Sequence, residues 1–215
     1  NSIQWMAQMS HQREISEFVQ RLKKLLSYNL GKEGRQTTLR MELEIVKEYI
    51  ALQQMRYDFI IEMNIEDGSY LDQPTVRMLF QPLVENAIRY GLGDDEKISI
   101  QVFEDVARHF AVVTISDSGK GLNQEEIDEI NQPFDYDWGY WKNENRGIGL
   151  RYVKAMLESF YDGQTSLFVN SKKGFGTKIT ILLPVREPEE KKEKDKEVTL
   201  EENKVGQTDE RIDCR

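Results

Sequence analysis

At about residue 57 the apolar residues of this chain change period, and a chain that does this must fold as two unlike parts. Before the change the spacing is helical. Ile15, Phe18, Val19, Leu22, Leu25 and Leu26 recur at three- and four-residue steps and share one stripe. A break follows between Gly31 and Gly34. Thr38 can cap a second helix, and Glu42 sits near that helix's positive end. Its stripe is Leu39, Leu43, Val46 and Ile50, with Ile45, Tyr49 and Leu52 beside it. Two such helices with a short turn make an antiparallel hairpin. The hairpin cannot bury both stripes alone, so it is expected to pack on a second copy or on the part that follows. Ordinary core helices of a single domain are the alternative.

After the change, strands and helices mix. Residues 57–65, 98–103 and 111–115 read as strands, as do 166–169 and 177–183, which a glycine turn separates. Residues 74–92 read as one helix, with Pro74 in its first turn and Pro82 at a kink. Residues 124–131 read as a short helix and 147–161 as a longer one; 132–146 are aromatic and polar without a period, hence a long loop. The fold class is α+β: a helical hairpin, then a sandwich of a mixed sheet with helices on one face. Three segments are expected: the hairpin (1–56), the mixed domain (57–186) and a tail (187–215). The tail is mostly Glu, Lys and Asp, too poor in apolar side chains to offset the entropy of ordering, and is expected to be disordered.

Composition removes several functions. A net charge of -9 argues against binding nucleic acid or anionic lipid. The single cysteine, Cys214, has no partner for a disulfide or a metal site. No apolar run reaches membrane-spanning length, and no signal peptide is visible. The chain starts at Asn1 without a methionine, so it is expected to be a fragment of something longer.

Four short stretches carry chemistry. In Leu83-Val84-Glu85-Asn86-Ala87-Ile88-Arg89-Tyr90-Gly91, Asn86 and Arg89 lie three apart beside an apolar stripe, where an amide and a guanidinium could meet a phosphate. Alone, such residues read equally well as a solvated face. In Ile115-Ser116-Asp117-Ser118-Gly119-Lys120-Gly121 an apolar strand delivers one carboxylate and then two glycines. The carboxylate could accept from an exocyclic amine; alone, the stretch is a plain turn. Arg146-Gly147-Ile148-Gly149-Leu150-Arg151 runs glycines into an amphipathic helix, whose free N–H groups suit an anion. It fits neither the Walker nor the Rossmann pattern. Gly174-Phe175-Gly176-Thr177 is a tight turn entering a strand with a hydroxyl at its start.

In this order and spacing the four resemble the N box and the three G boxes of the ATPases that unite gyrase, the Hsp90 chaperones, MutL and the histidine kinases, across about 57–184. Upstream, Thr38-Leu39-Arg40-Met41-Glu42-Leu43-Glu44, then Tyr49-Ile50 and Gln53, then Gln81-Pro82-Leu83, resemble sensor kinases of the LytS/YesM type, as does Asn1-Ser2-Ile3-Gln4-Trp5. The resemblance implies the following roles. Asn86 ligates the Mg²⁺ that bridges the phosphates of ATP, and Glu85 organises water around it. Arg89 faces the phosphates. Asp117 bonds the adenine amino group, with Thr177 nearby through water. Gly119 and Gly121 hinge a lid formed by 122–146, which carries Phe134, Tyr136, Trp138, Tyr140 and Trp141. Gly147, Ile148, Gly149 and Leu150 present N–H groups to the phosphates, and Arg146 and Tyr90 belong to the same site. Two residues depart from the pattern: Tyr90 stands where histidine is usual, and Ser118 where asparagine is common.

The implied activity is protein-histidine kinase activity: the γ-phosphoryl group of Mg-ATP passes to a histidine and then to an aspartate on a response regulator. The implied setting is the cytoplasmic part of a homodimeric bacterial membrane protein, attached only through segments ahead of this chain. Of the two histidines, His109 follows Val106-Ala107-Arg108 between two strands and is expected in a turn. His11 lies beyond the place of the family's acceptor, which is expected about ten residues ahead of Asn1 by analogy with the family. A fragment of this kind would bind ATP without labelling itself. Two other classes stay open: an ATP-hydrolysing clamp, and a non-catalytic nucleotide-binding module. Clamps of the gyrase and MutL kind place a catalytic glutamate one helical turn before the asparagine; here that position is Pro82.

Overall fold

The computed structural model describes residues 13–31, 36–92, 97–131 and 148–186. In chain order the elements are α1 (Arg13–Asn29), β1 (Thr37–Thr38), α2 (Leu39–Gln54), β2 (Ile60–Ile65), β3 (Pro74–Thr75), α3 (Gln81–Tyr90), β4 (Lys97–Asp105), β5 (Phe110–Asp117), α4 (Gln124–Asn131), α5 (Ile148–Phe160), β6 (Ser166–Lys172) and β7 (Gly176–Pro184), with a 3₁₀ turn at Ser69–Asp72. One compact unit ends at Pro184; of a second, Val185–Arg215, only Val185 and Arg186 are described, so the expected disordered tail lies outside the described residues.

The two long helices pack as a hairpin. Arg21 and Lys24 of α1 both reach Glu48 of α2, the lysine at 3.1 Å. Leu25 and Tyr28 pack with Ile45 and Leu52 between the helices. The Thr38 hydroxyl accepts from the Met41 N–H at 3.3 Å and caps α2. The α2 stripe Leu39, Leu43, Val46 and Ile50 is buried, and the helix meets the 3₁₀ turn and α3. On α1, by contrast, Ile15, Phe18, Leu22 and Leu26 stay exposed. The hairpin thus lays one stripe on the part that follows and leaves most of the other in water.

That part is a two-layer sandwich. Its five strands run in the order β2-β4-β5-β7-β6; β2 lies parallel to β4, and every other pair is antiparallel. Alternate residues face opposite sides of a strand. On one side Ile98, Ile100, Val113, Ile115, Ile179 and Ile181 are buried; on the other Gln101, Phe103, Phe168 and Lys178 are exposed. Leu83, Val84 and Ala87 of α3 and Leu150, Val153 and Leu157 of α5 supply the buried helical layer. The expected α+β class is what forms. His109 takes φ 57° in the turn between β4 and β5, as expected for a turn residue.

One reading needs correction. Residues 74–92 are not one helix. Pro74 and Thr75 form β3, paired with Thr38 and Thr37. Met78 then adopts φ 61°, and α3 begins only at Gln81, with Pro82 in its first turn and not at a kink. Proline lacks an N–H, which costs nothing in the first turn of a helix. The N–H groups of Met78 and Leu79 donate to the Glu42 carboxylate, not to helical carbonyls. Glu42 lies in the first turn of α2, as expected, and does more there: it is 2 % exposed and accepts from Tyr28 of α1 and from the Met78 and Leu79 N–H groups. Burial raises its pKa, and the Tyr28 hydroxyl and the backbone N–H groups pull it back.

Candidate functional site

β5 carries Asp117 to the end of the sheet, against the start of β7. The Gly119 N–H and the Thr177 N–H both donate to Asp117 Oδ1, each at 3.1 Å. Among the described residues nothing donates to Oδ2. Burial raises the pKa of this carboxyl, and the two N–H groups oppose that. The backbone closes tightly behind it. A Cβ on Gly91 would overlap the Asp117 side chain, and one on Gly176, at φ 91°, would overlap the Asp117 carbonyl. Gly119 rests on Gly91 in the same way, and Gly121, at φ 63°, on the Lys172 carbonyl.

Ser171 ties the loop after β5 to the β6–β7 hairpin. Its hydroxyl accepts from the Leu122 N–H at 2.8 Å and donates to the Gly176 carbonyl at 2.8 Å. With its one proton spent there, the 2.9 Å contact to Thr177 must have Thr177 as donor. The Thr177 oxygen therefore keeps its acceptor lone pairs.

Asp117 and Thr177 line a cavity with Asn86 and Tyr90 of α3, Gly121 and Leu150. Ile115, Leu83 and Ile179 give it apolar walls. Gly149, in the first turn of α5, faces α3: a Cβ there would stand 3.5 Å from the Asn86 amide nitrogen. The structure thus brings one end of β5, the end of α3 and the start of α5 to one cavity. The remaining candidates stand elsewhere or outside view. Gly119 is packed behind Asp117. Glu85 and Arg89 pair with each other at 3.6 Å, and the Arg89 side chain is 62 % exposed. Neither lines the cavity. Arg146, Gly147 and the expected lid from 132 onward lie outside the described residues, and of Ile148 only the backbone is described.

Several lining residues were missed. Lys120 sits with its Nζ 4.6 Å from the Tyr90 ring, at hand for an anion. Leu122, Glu126, Glu129 and Ile130 come from the loop after β5 and from α4. The available signal was three apolar residues, Leu122, Ile127 and Ile130, in an acidic stretch of the expected lid. Arg151 follows Leu150; its Nε is buried without a hydrogen-bond partner among the described residues, and its guanidinium lies 3.9 Å from Glu129. The cavity combines a half-buried acceptor among apolar walls, suited to an amino group on a flat ring, with an amide, cations and a helix N-terminus, suited to an anion.

Residues 71–187, more than half of the chain, match the family described as histidine kinase-, DNA gyrase B-, and HSP90-like ATPase. The chain belongs to that ATPase family. Residues 1–60 match the family described as histidine kinase. Sensor protein kinase HptS of Staphylococcus aureus (strain bovine RF122 / ET3-1) is 30% identical over 168 residues, covering 78% of this chain and 32% of that protein. HptS of strain USA300 gives the same identity and coverage. The chain therefore spans about a third of the curated relatives it matches. Among solved structures, the Acinetobacter baumannii histidine kinase AdeS superposes with a TM-score of 0.50 at 16% identity, covering 85% of this chain and 84% of that one. That likeness concerns the fold.

Proposed function

We propose that this chain is the catalytic part of a sensor histidine kinase of the LytS/YesM type, binding Mg-ATP between α3, α5 and the end of β5. The observation that carries the reading is the Asp117 carboxylate. One oxygen is fixed by two backbone N–H groups, and the residue lines a largely apolar cavity that Asn86 also lines. Adenine lies against Asp117 and Thr177, and the phosphates run toward Asn86, Lys120 and the α5 N-terminus. Among the described residues no three His, Cys, Asp or Glu cluster as a metal site. Mg²⁺ needs few protein ligands when phosphate oxygens fill its shell, so the hard amide oxygen of Asn86 fits it. Bound there, it would neutralise charge on the phosphates. Glu85 and Arg89 serve the rim of the site, and Gly119 and Gly121 flank the start of the lid.

In the transfer, the bond from the γ-phosphorus to the β–γ bridging oxygen breaks and a bond to an imidazole nitrogen forms. ADP leaves with the electron pair, and the imidazole gives up its proton. This chain's share is alignment and charge stabilisation. His109 stands at the other end of β5 from Asp117, roughly 26 Å away at the rise of a strand, and takes no part. Pro82, one turn before Asn86, cannot act as a base for water, which favours transfer over hydrolysis. The match of residues 1–60 and the relatives named as sensor kinases support the histidine acceptor. A response regulator is the downstream partner, a second copy pairs through the hairpin, and the parent protein is anchored in a bacterial membrane. Among the described residues no helix is long and apolar enough to cross one.

The test is incubation with γ-labelled ATP and Mg²⁺, on this chain and on a form extended at its N-terminus. Acid-labile label on the extended protein, passing to a receiver aspartate, is expected. Free phosphate in its place would make the protein an ATP-driven clamp, and neither product a regulatory nucleotide module.

A further inference from the structure

The N–H groups that open a helix need acceptors. α3, the helix of Asn86, has no side-chain cap at Phe80; its first turn leans on the Phe80 carbonyl, which takes the Leu83 and Val84 N–H groups. The non-helical residues just ahead of it find their acceptor on α2. Glu42 Oε1 takes the Met78 N–H at 2.8 Å and Oε2 takes the Leu79 N–H at 2.7 Å. The Tyr28 hydroxyl of α1 donates to Oε1 as well. Arg77 closes the arrangement, donating to the Tyr28 carbonyl at 2.6 Å with its guanidinium 4.3 Å over the Tyr28 ring. Leu79 and Phe80 are 0 % exposed, and Met78 holds a left-handed φ of 61° that non-glycine residues avoid. A strained four-residue segment is thus held by a carboxylate on another helix, and the Phe80 carbonyl starts the hydrogen bonding of α3.

We propose that Glu42 is a positioning residue for the nucleotide: held between α1 and α2, it fixes residues 77–80 and through them sets where α3 presents Asn86. The proposal rests on the reading of the cavity as a Mg-ATP site. Any shift of α1 against α2 reaches Glu42 through Tyr28 and Arg77, so the hairpin and the phosphate end of the site move together. Adenine recognition at Asp117 hangs mainly on β5 and β7 and meets α3 only at its far end, at Gly91.

That separation gives the test. ATP affinity of the whole chain is measured with Mg²⁺ and with chelator, and the ratio is compared among variants. Glu42→Gln keeps the shape but turns an amide donor toward backbone donors. It should leave affinity in chelator within about twofold and cut the Mg²⁺-dependent gain roughly tenfold, as mis-set ligands do. Tyr28→Phe should show a smaller loss in the same direction. Leu25→Ala, a packing change in the same hairpin, should lower Tm and leave the ratio alone. An unchanged ratio in both Glu42→Gln and Tyr28→Phe overturns the proposal, and so does an equal loss in Leu25→Ala. Should Glu42→Gln fail to fold, Tyr28→Phe against Leu25→Ala decides alone. Wild type with no Mg²⁺-dependent ATP binding, or with a gain that survives Asn86→Ala, overturns the nucleotide reading itself and the proposal with it.

Discussion

A single carboxylate holds opposite demands at the centre of this site. Asp117 is partly removed from water, which disfavours its charge, yet only the charged form offers an acceptor at Oδ2 while Oδ1 serves two N–H groups. Its pKa is raised in the folded chain, so its ionisation works against folding. The sign follows: the contribution to stability is full below the ordinary aspartate range and is lost as pH rises through the raised value. Asp117→Asn should therefore raise the Tm of the nucleotide-free chain at neutral pH, and the gap to wild type should close as pH falls into the carboxylate range. In the same variant ATP binding should weaken by about 1.5–3 kcal/mol, roughly ten- to a hundred-fold, for loss of a charge-assisted hydrogen bond. Calorimetry in both modes checks this; a less stable variant that binds ATP as well as wild type would remove Asp117 from the adenine. This residue was legible because it ends an apolar strand ahead of two glycines. Glu42 was not, since a glutamate in the first turn of a helix has an adequate local explanation. Its partners lie far along the chain.

Among the elements, the β6–β7 hairpin shows how position decides what a glycine is for. Gly174, at φ 83°, has open space where a Cβ would go, whereas Gly176, at φ 91°, has the Asp117 carbonyl there. Gly174→Ala should cost only the left-handed backbone, about 1–2 kcal/mol. Gly176→Ala adds a clash with backbone that cannot swing aside, so it should unfold at lower temperature and lose ATP affinity as well. Equal melting temperatures for the two would mean that the contact behind Asp117 is looser than described. Strands were legible wherever apolar and polar residues alternate, and the helix at 124–131 was read with the bounds it has. The stretch 74–92 was misread because its apolar spacing suits a helix throughout. What stops the helix short is remote: pairing of β3 with β1 and the hold of Glu42 on Met78 and Leu79. The cavity's α4 side was expected only as part of the lid, because no motif singles out its lining residues.

For the molecule as a whole, α1 is the unfinished surface. Ile15, Phe18, Leu22 and Leu26 follow helical spacing and remain in water, beside the face that meets α2. Burying these half-exposed side chains recovers roughly 1 kcal/mol each, allowing for what is already covered. Association costs roughly 4–15 kcal/mol, so the stripe alone supports only a weak dimer. Sedimentation over a concentration series should show wild type associating at high concentration, and Phe18→Glu with Leu22→Glu remaining monomeric with ATP binding intact. Wild type that stays monomeric throughout would mean that this face does not pair copies of the described part. The opposite economy governs the nucleotide end. Because the wall behind Asp117 is main chain, closed at Gly91, Gly119, Gly121 and Gly176, its sequence has almost no room to drift. A small inhibitor that grips that wall would meet few tolerated substitutions, since nearly every escape from it would also collapse the pocket it occupies.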